Sequence, residues 1–380
     1  MAITNFTAYN PTRLHFGKGV VATLGEAVKN YSNKVLLVYG KESVKKYGYY
    51  NDVVKQLKDS GIKWVEYGGV KSNPVIEDVR KAVTLGRKNE VGAVVALGGG
   101  SVVDSSKIIS AAIATGIEPW DIVSWKTHPK SSLPLICILT LAATGTEMNA
   151  AAVVQNEKTK EKLGYVNPVM FPVESFLDPE YTATVPKNYT VYGIVDLIAH
   201  ALEAFYGEGE PSIIDKITLD IIKDAMEQAP ALLTDLTNYN LRANIMLDAT
   251  LALNGLTSYG KTSGDWAVHG IGHEISLLFD TPHGATLSIA YPAWLKLQKE
   301  RIPDRVLTMG KGLFGATTVD EAIEKLEAFF VSVSSPVRLS DIGLADKAPE
   351  ILEQLNRNSV SGMHHVLTET DHTRLVELMK

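Results

Sequence analysis

The chain has 380 residues, more than one ordinary hydrophobic core supports, so two domains are expected. With 45% hydrophobic and 21% charged residues and a mean hydropathy of +0.03, its composition is that of a globular protein. A formal net charge of −6 offers nucleic acid no basic excess, and no apolar run reaches the ~18 residues of a membrane span.

The opening MAITNFTAYNPTRLHFG has neither a basic nor an apolar leader region, so no signal peptide and a cytoplasmic location are expected. KVLLVYG (34–40) reads as a buried strand stopped by Gly40, and SVKKYGYYNDVVKQLKDSG (43–61) as one amphipathic helix ended by Gly61. IKWVEYGG is a second strand, followed by a helix whose N-cap and first position are Asn73 and Pro74. VGAVVALGGG is a third strand, SVVDSSKIISAAIATG a helix, and LPLICILT a fourth strand. The last contains the only cysteine, Cys137, which can form no internal disulfide. Strand and helix alternating at this spacing predict an open, mainly parallel, doubly wound sheet.

After about residue 186 the texture changes. PKNYTVYGIVDLIAHALEAFYG, PSIIDKITLDIIKDAMEQAPALL, LRANIMLDATLALNGL and VDEAIEKLEAFFVSV all carry apolar residues at helical spacing. A second, all-helical domain is therefore expected, with the boundary near FLDPEYTATVPKNY. The expected division is 1–185 for the α/β domain and 186–380 for the helical domain, to which the motifs below assign dinucleotide binding and metal binding respectively.

Three of the nine histidines fall in HGIGHEISLLFDTPHG (269–284). His269 and His273 stand four apart, as do Asp196 and His200, so each pair shares a helix face. His283 follows a break, where a new helical pattern begins. Asp196 is flanked by apolar residues, where an unpaired carboxylate would be costly to bury. Asp196, His200, His269 and His283 would together offer one carboxylate and three imidazoles, a donor set suited to Fe or Zn. Taken singly, each pair also admits a reading as an ordinary ion pair or core histidine.

AVVALGGGSVVDSSK places three glycines between a buried strand and a helix, where backbone N–H groups can approach a phosphate. It is neither the G-x-G-x-x-G fingerprint nor a Walker A sequence. Ser101 as N-cap with Asp104 three residues on also reads as a capping box.

The order GGGS, TLAATGTE, D-x-x-x-H, then H-x-x-x-H with a further histidine ten residues on resembles the iron-containing (group III) alcohol dehydrogenase family. PTRLHFGKG is similar to that family's opening strand, and YGKESVKKYG resembles its butanol dehydrogenase and NADPH-dependent aldehyde reductase branch. The resemblance implies a Rossmann-like N-terminal domain, an all-helical C-terminal domain (the dehydroquinate synthase-like architecture) and an active site in the cleft between them. It implies that Asp196, His200, His269 and His283 bind the metal, with His273 beside it as an active-site residue. Gly98, Gly99, Gly100 and Ser101 match the pyrophosphate turn. Asp104, Thr140, Leu141 and Thr144 match positions lining the cofactor, Asn73 the adenosine side, and Lys162 a lysine near the cofactor ribose.

One departure bears on the cofactor. NAD-using members carry an Asp at the end of the second strand, where it accepts from the ribose 2′-OH. Here Gly40 stands there, followed by KESVKK, and Lys41, Ser43 or Lys46 could contact a 2′-phosphate. NADP is favoured over NAD, although KESVKK also reads as the solvated start of a helix.

The chemistry implied is hydride transfer between a nicotinamide and an alcohol or aldehyde polarised by Fe(II) or Zn(II), with His273 as a candidate proton relay. Residues 262 to 295 contain no Lys or Arg, and Trp266, Phe279 and Tyr259 are aromatic neighbours. A small, neutral, partly apolar substrate is expected, not the phosphorylated acid of dehydroquinate synthase. The alternatives are polyol oxidation with NAD, as in glycerol dehydrogenase, a metallohydrolase using metal-bound hydroxide, and a non-catalytic nucleotide binder. A homodimer is expected, with no nucleic-acid or membrane partner.

Overall fold

The computed structural model describes residues 3–380. Its internal contacts divide the chain into two compact units, an α/β unit of Tyr9–Val185 with Leu236–Thr250, and a helical unit containing Pro186–Asp235 and Leu251–Lys380. The segment ending at Ala8 also belongs to the helical unit, so a single cut after residue 185 does not separate the two.

In chain order the α/β unit contains β1 (Arg13–Phe16), α1 (Leu24–Lys29), β2 (Lys34–Tyr39), α2 (Ser43–Lys46), α3 (Tyr49–Asp59), β3 (Lys63–Tyr67) and α4 (Ile76–Lys88). There follow β4 (Ala93–Gly98), α5 (Gly100–Thr115), α6 (Pro119–Val123), β5 (Leu135–Leu139), β6 (Ala151–Asn156), β7 (Glu161–Val166) and β8 (Glu174–Leu177). Six strands form one parallel sheet in the order β1-β8-β5-β4-β2-β3, and β6 pairs β7 as a separate antiparallel hairpin.

The unbroken apolar runs of β2, β4 and β5 follow from burial on both faces. Leu36, Val38, Val94, Ala96 and Cys137 pack on one side with α4 and α5 residues such as Val79, Val83, Val103 and Ile108. Val35, Leu37, Val95, Leu97, Ile136 and Ile138 pack on the other with Leu24 and Val28 of α1 and Val53 and Leu57 of α3. The helices following the adjacent strands β2 and β4 thus lie on opposite faces. That reversal opens a crevice at the strands' carboxyl ends, the usual ligand position of an open α/β sheet. The turns after Tyr39 and Gly98 flank it.

Three details differ from the sequence expectation. The helix expected over 43–61 breaks at Gly48, whose φ of 88° is left-handed, leaving α2 and α3 separate. Helix α5 starts at Gly100 with Gly99 as N-cap, so Ser101 is not a cap. Its hydroxyl donates instead to the Ser72 carbonyl, and Asp104 accepts from Thr146 Oγ1 at 2.6 Å and Val153 N–H at 3.0 Å. No capping box forms. The β6–β7 hairpin and β8 lack the unbroken apolar runs that mark β2 and β4 and are absent from the sequence expectation.

Beyond residue 185 the chain forms α7 (Lys187–Tyr206), α8 (Ser212–Thr234), α9 (Tyr239–Leu253), α10 (Ala267–Phe279), α11 (His283–Gln298), α12 (Pro303–Phe314), α13 (Val319–Ser332), α14 (Ala348–Arg357) and α15 (Glu369–Met379). Most of α9 counts with the α/β unit because Met246 packs on Leu139 and Leu177. Within the helical unit, Lys261 and Arg305 converge on Asp215 (2.8 and 2.6 Å) and on the Phe205 carbonyl. This buried ion cluster satisfies a carbonyl at the C-terminal end of α7, where cations are favoured. Among the described residues, no helix is long and apolar enough to cross a membrane.

Candidate metal centre and nucleotide turn

Helix α7 presents Asp196, His200 and Glu203 at positions i, i+4 and i+7 of one buried face. Helix α10 presents His269 and His273, and His283 is the first residue of α11. Close helix packing makes them meet. A Cβ on Gly284 would lie 2.1 Å from the Tyr192 carbonyl oxygen, so only glycine lets the start of α11 approach α7 one turn before Asp196.

Asp196 Oδ1 lies 3.7 Å from His200 Nδ1, 3.8 Å from His269 Nε2 and 3.8 Å from His283 Nε2. Candidate ligand atoms of Asp196, His200 and His269 all fall within 4.8 Å of one another. These spacings exceed hydrogen-bond length. They approach the roughly 3.4 Å between ligand atoms of a tetrahedral site with bonds of about 2.1 Å. Asp196 Oδ1, His200 Nδ1 and His269 Nε2 are buried with no hydrogen-bond partner. Three inward-facing donors would be costly to leave so, and a divalent cation would satisfy all of them at once. The residues present fit a metal.

The electrostatics of the metal-free site differ from group to group. Burial opposes ionisation of Asp196, but His200, His269 and His283 hold its carboxyl well below the usual range. Burial pushes His200 down to about 4 against the pull of Asp196, which favours the neutral, ligating imidazole. Burial acts the same way on His269, yet Asp196 and Glu203 outweigh it and hold that ring up to about 9.

Glu203, absent from the sequence expectation, is buried beside these groups. Its Oε1 accepts from His269 Nδ1 at 2.9 Å and from the His269 backbone N–H at 3.0 Å. Its Oε2 accepts from the Trp266 backbone N–H at 2.6 Å. The available signal was the i+7 spacing from Asp196 on an apolar helix. Trp266 has a left-handed φ of 67°, and its ring stands 5.4 Å from that of His269 and 6.4 Å from that of His200. Tyr259, also expected near the site, stacks on Phe6. His273 is half-buried, with its ring 5.0 Å from that of His283 and 6.3 Å from that of His269.

In the α/β unit the nucleotide candidates cluster about the start of α5. A Cβ on Gly100 would meet Thr144 Cγ2 and Oγ1 at 2.7 Å, and one on Gly99 would meet Leu141 Cβ at 3.2 Å. The glycines therefore let the 140–144 loop close against the turn. Thr140 N–H donates to the Gly98 carbonyl at 3.0 Å, locking that loop. Lys162 Nζ donates to Asn73 Oδ1 at 2.9 Å, both buried, so two candidates far apart in sequence are adjacent in space. A β-bridge between Val75 and Gln155 fastens the same segment to β6. Asp104 serves Thr146 and Val153 and so braces this region from within.

Gly40 abuts the start of α5, its Cβ position 3.7 Å from Val102 Cγ2. Lys41, Ser43 and Lys46 are exposed beyond it. Glu66, at the end of the neighbouring strand, already accepts from Tyr39, Tyr50 and the Trp64 indole, with Lys45 Nζ over the Tyr39 and Tyr50 rings at 4.9 and 5.1 Å.

Comparison with known proteins shows the family. Residues 11–179 match the family model for iron-containing alcohol dehydrogenase, and residues 190–375 the model for the C-terminal part of the Fe-containing alcohol dehydrogenase family. The chain is 40% identical over 377 residues to a probable NADH-dependent butanol dehydrogenase 1 of Bacillus subtilis, covering 97% of each protein. It is 35% identical to the NADPH-dependent aldehyde reductase YqhD of Escherichia coli, covering 99% of each. The crystal structure of an NADH-dependent butanol dehydrogenase A from Thermotoga maritima superposes with a TM-score of 0.96 at 38% identity, covering 100% of this chain and 99% of that one.

Proposed function

This chain belongs to the iron-containing alcohol dehydrogenase family, and we propose that it transfers hydride between NADP(H) and a small, neutral, partly apolar alcohol or aldehyde. The observation that carries the reading is the cluster of three orphaned buried donors on Asp196, His200 and His269, completed by His283.

When bound, the metal supplies Lewis acidity and the nicotinamide supplies or takes the hydride. Asp196, His200, His269 and His283 would hold the metal, Fe(II) or Zn(II) alike. The backbone of Gly98, Gly99 and Gly100 and the amino end of α5 bind the pyrophosphate, with Ser101, Thr140, Leu141 and Thr144 around it. Lys162 and Asn73 act as a pair toward the ribose and adenosine. His273, beside His283 but outside the Asp196 cluster, carries the proton to or from solvent. Trp266 gives the ligand rings an apolar wall that limits water. With no Lys or Arg from 262 to 295, that region offers nothing to an anionic substrate.

The preference for NADP rests on residue chemistry, since one relative named above is called NADH-dependent and another NADPH-dependent. Gly40 removes the carboxylate that would repel a 2′-phosphate. Glu66 is engaged by three donors, and Lys41, Ser43 and Lys46 remain exposed for an anion.

The test is NADPH and NADH oxidation with a butyraldehyde-like substrate, before and after metal chelation and re-addition. Turnover that vanishes on chelation and returns with Fe(II) or Zn(II), faster with NADPH, is the expected result. Turnover that survives complete stripping would remove the cluster from the mechanism. No turnover with either cofactor despite bound metal would favour the hydrolase.

A further inference from the structure

Helix α7 carries two buried carboxylates on the metal-facing side, and their surroundings separate their tasks. Asp196 Oδ1 faces three imidazole nitrogens at 3.7 to 3.8 Å and has no hydrogen-bond partner. Both oxygens of Glu203 are occupied by donors, the His269 ring and backbone N–H on Oε1 and the Trp266 backbone N–H on Oε2. We infer that Glu203 is a positioning residue for the metal centre, acting through His269 and Trp266 without touching the metal. This inference rests on the metal-site reading above.

An ionised carboxylate only accepts hydrogen bonds, so His269 Nδ1 must carry the hydrogen shared with Glu203. The lone pair His269 can offer a metal is therefore on Nε2, the atom that is buried, orphaned and aimed at Asp196. A ligand ring whose second nitrogen is anchored this way loses less rotational freedom on binding and is the more basic donor. The same carboxylate satisfies N–H groups in the first turn of α10, which no side chain of that helix caps. It also holds Trp266 in its left-handed conformation, with the indole against the His200 and His269 rings. One side chain on α7 thus fixes the tautomer of a ligand, the start of the helix bearing it and the wall beside it.

Glu203→Gln probes this with little change of volume. Three N–H groups converge on two oxygens, so an amide must turn its NH2 toward one of them. With the NH2 facing Trp266, two donors oppose each other. With the NH2 facing His269, the ring must accept at Nδ1, which places its hydrogen on Nε2 and removes the lone pair from the metal side.

The experiment measures Co(II) and Zn(II) affinity of the stripped full-length protein by chelator competition, with the Co(II) visible spectrum and the 15N shifts of the histidine rings. Glu203→Gln is compared with wild type, Asp196→Asn and Glu274→Gln. Glu274 is another buried carboxylate, on α10, that accepts from Gln354 and Asn358 at 2.8 and 3.0 Å, making it a control for burial alone. Expected is a loss of about 10- to 100-fold in metal affinity for Glu203→Gln, with an altered Co(II) spectrum and tautomer signal. Glu274→Gln should bind as wild type does. Wild-type affinity and spectrum in Glu203→Gln, or an equal loss in Glu274→Gln, would overturn the inference. If wild type itself bound no metal that Asp196→Asn abolishes, the metal-site reading would fail first and take this one with it.

Discussion

The two units build their candidate sites from different materials. The α/β unit uses backbone: a glycine turn, the open end of a helix, and a loop that closes only because Gly99 and Gly100 have no Cβ. The helical unit uses ionisable side chains pressed together in a dry interior, Asp196 against three imidazoles, with Glu203 behind. A backbone site is sensitive to volume and indifferent to charge, whereas a buried side-chain site is sensitive to charge and protonation. The contrast can be broken by variants that change one property at a time.

The largest effect is expected from Asp196→Asn, which keeps the volume and removes the charge. Metal content should fall to background and turnover by more than about 10³-fold, several kcal/mol of lost charge stabilisation. Elemental analysis with steady-state rates checks this, and cofactor binding by fluorescence should be unchanged. Bound metal at wild-type stoichiometry would show that the carboxylate is not a ligand.

Gly100→Ala is the converse. Its Cβ would lie 2.7 Å from two Thr144 atoms, an overpacking of about 1 to 3 kcal/mol. KM for the nicotinamide cofactor should rise with metal content intact, and Gly99→Ala, with its contact at 3.2 Å, should do less. Metal loss in either variant would mean that the two sites are not separable in this way.

Protonation sharpens the comparison through the buried imidazoles of the helical unit's candidate site. In metal-free protein, burial holds His200 down to about 4, below its ordinary 6.5. Between those values the unfolded chain binds a proton that the folded chain does not, so stability falls as pH drops through that window. His269, which Asp196 and Glu203 hold up to about 9 against burial, works in the opposite sense. Its contribution is complete below 6.5 and is lost as pH rises through about 9. Thermal melts of stripped protein from about pH 5 to 9 should therefore peak in between, and Asp196→Asn should flatten the alkaline limb. An unchanged alkaline limb in Asp196→Asn would refute the assignment. A smaller consequence is that Zn(II) loading near pH 7 should release about one proton per site, as His269 gives up the hydrogen on Nε2. Calorimetry in buffers of different ionisation enthalpy measures it.

The smallest effect belongs to the exposed lysines after Gly40. Lys46→Ala should weaken NADPH relative to NADH by a few-fold at low salt, since an exposed charge is worth about 1 kcal/mol or less. An equal change for both cofactors would place Lys46 away from any 2′-phosphate.

By itself the sequence determined what depends on local period and punctuation. Apolar runs of Val, Leu and Ala within 34–39 and 93–98 read as doubly buried strands, and four-residue spacing put Asp196 with His200 and His269 with His273 on shared helix faces. The glycine triplet marked a candidate nucleotide turn because strand, turn and helix are contiguous. Tertiary structure alone decided what depends on which faces meet. Gly284 against the Tyr192 carbonyl brings His283 to Asp196, and Lys162 reaches Asn73 across 89 positions. Glu203 finds its partners 63 and 66 residues away, and Asp104 turns from the expected cap to Thr146 and Val153. A helix face declares its chemistry in its own residues, but the partner of a buried carboxylate is whichever donor the packing delivers, and that information lies in the other element.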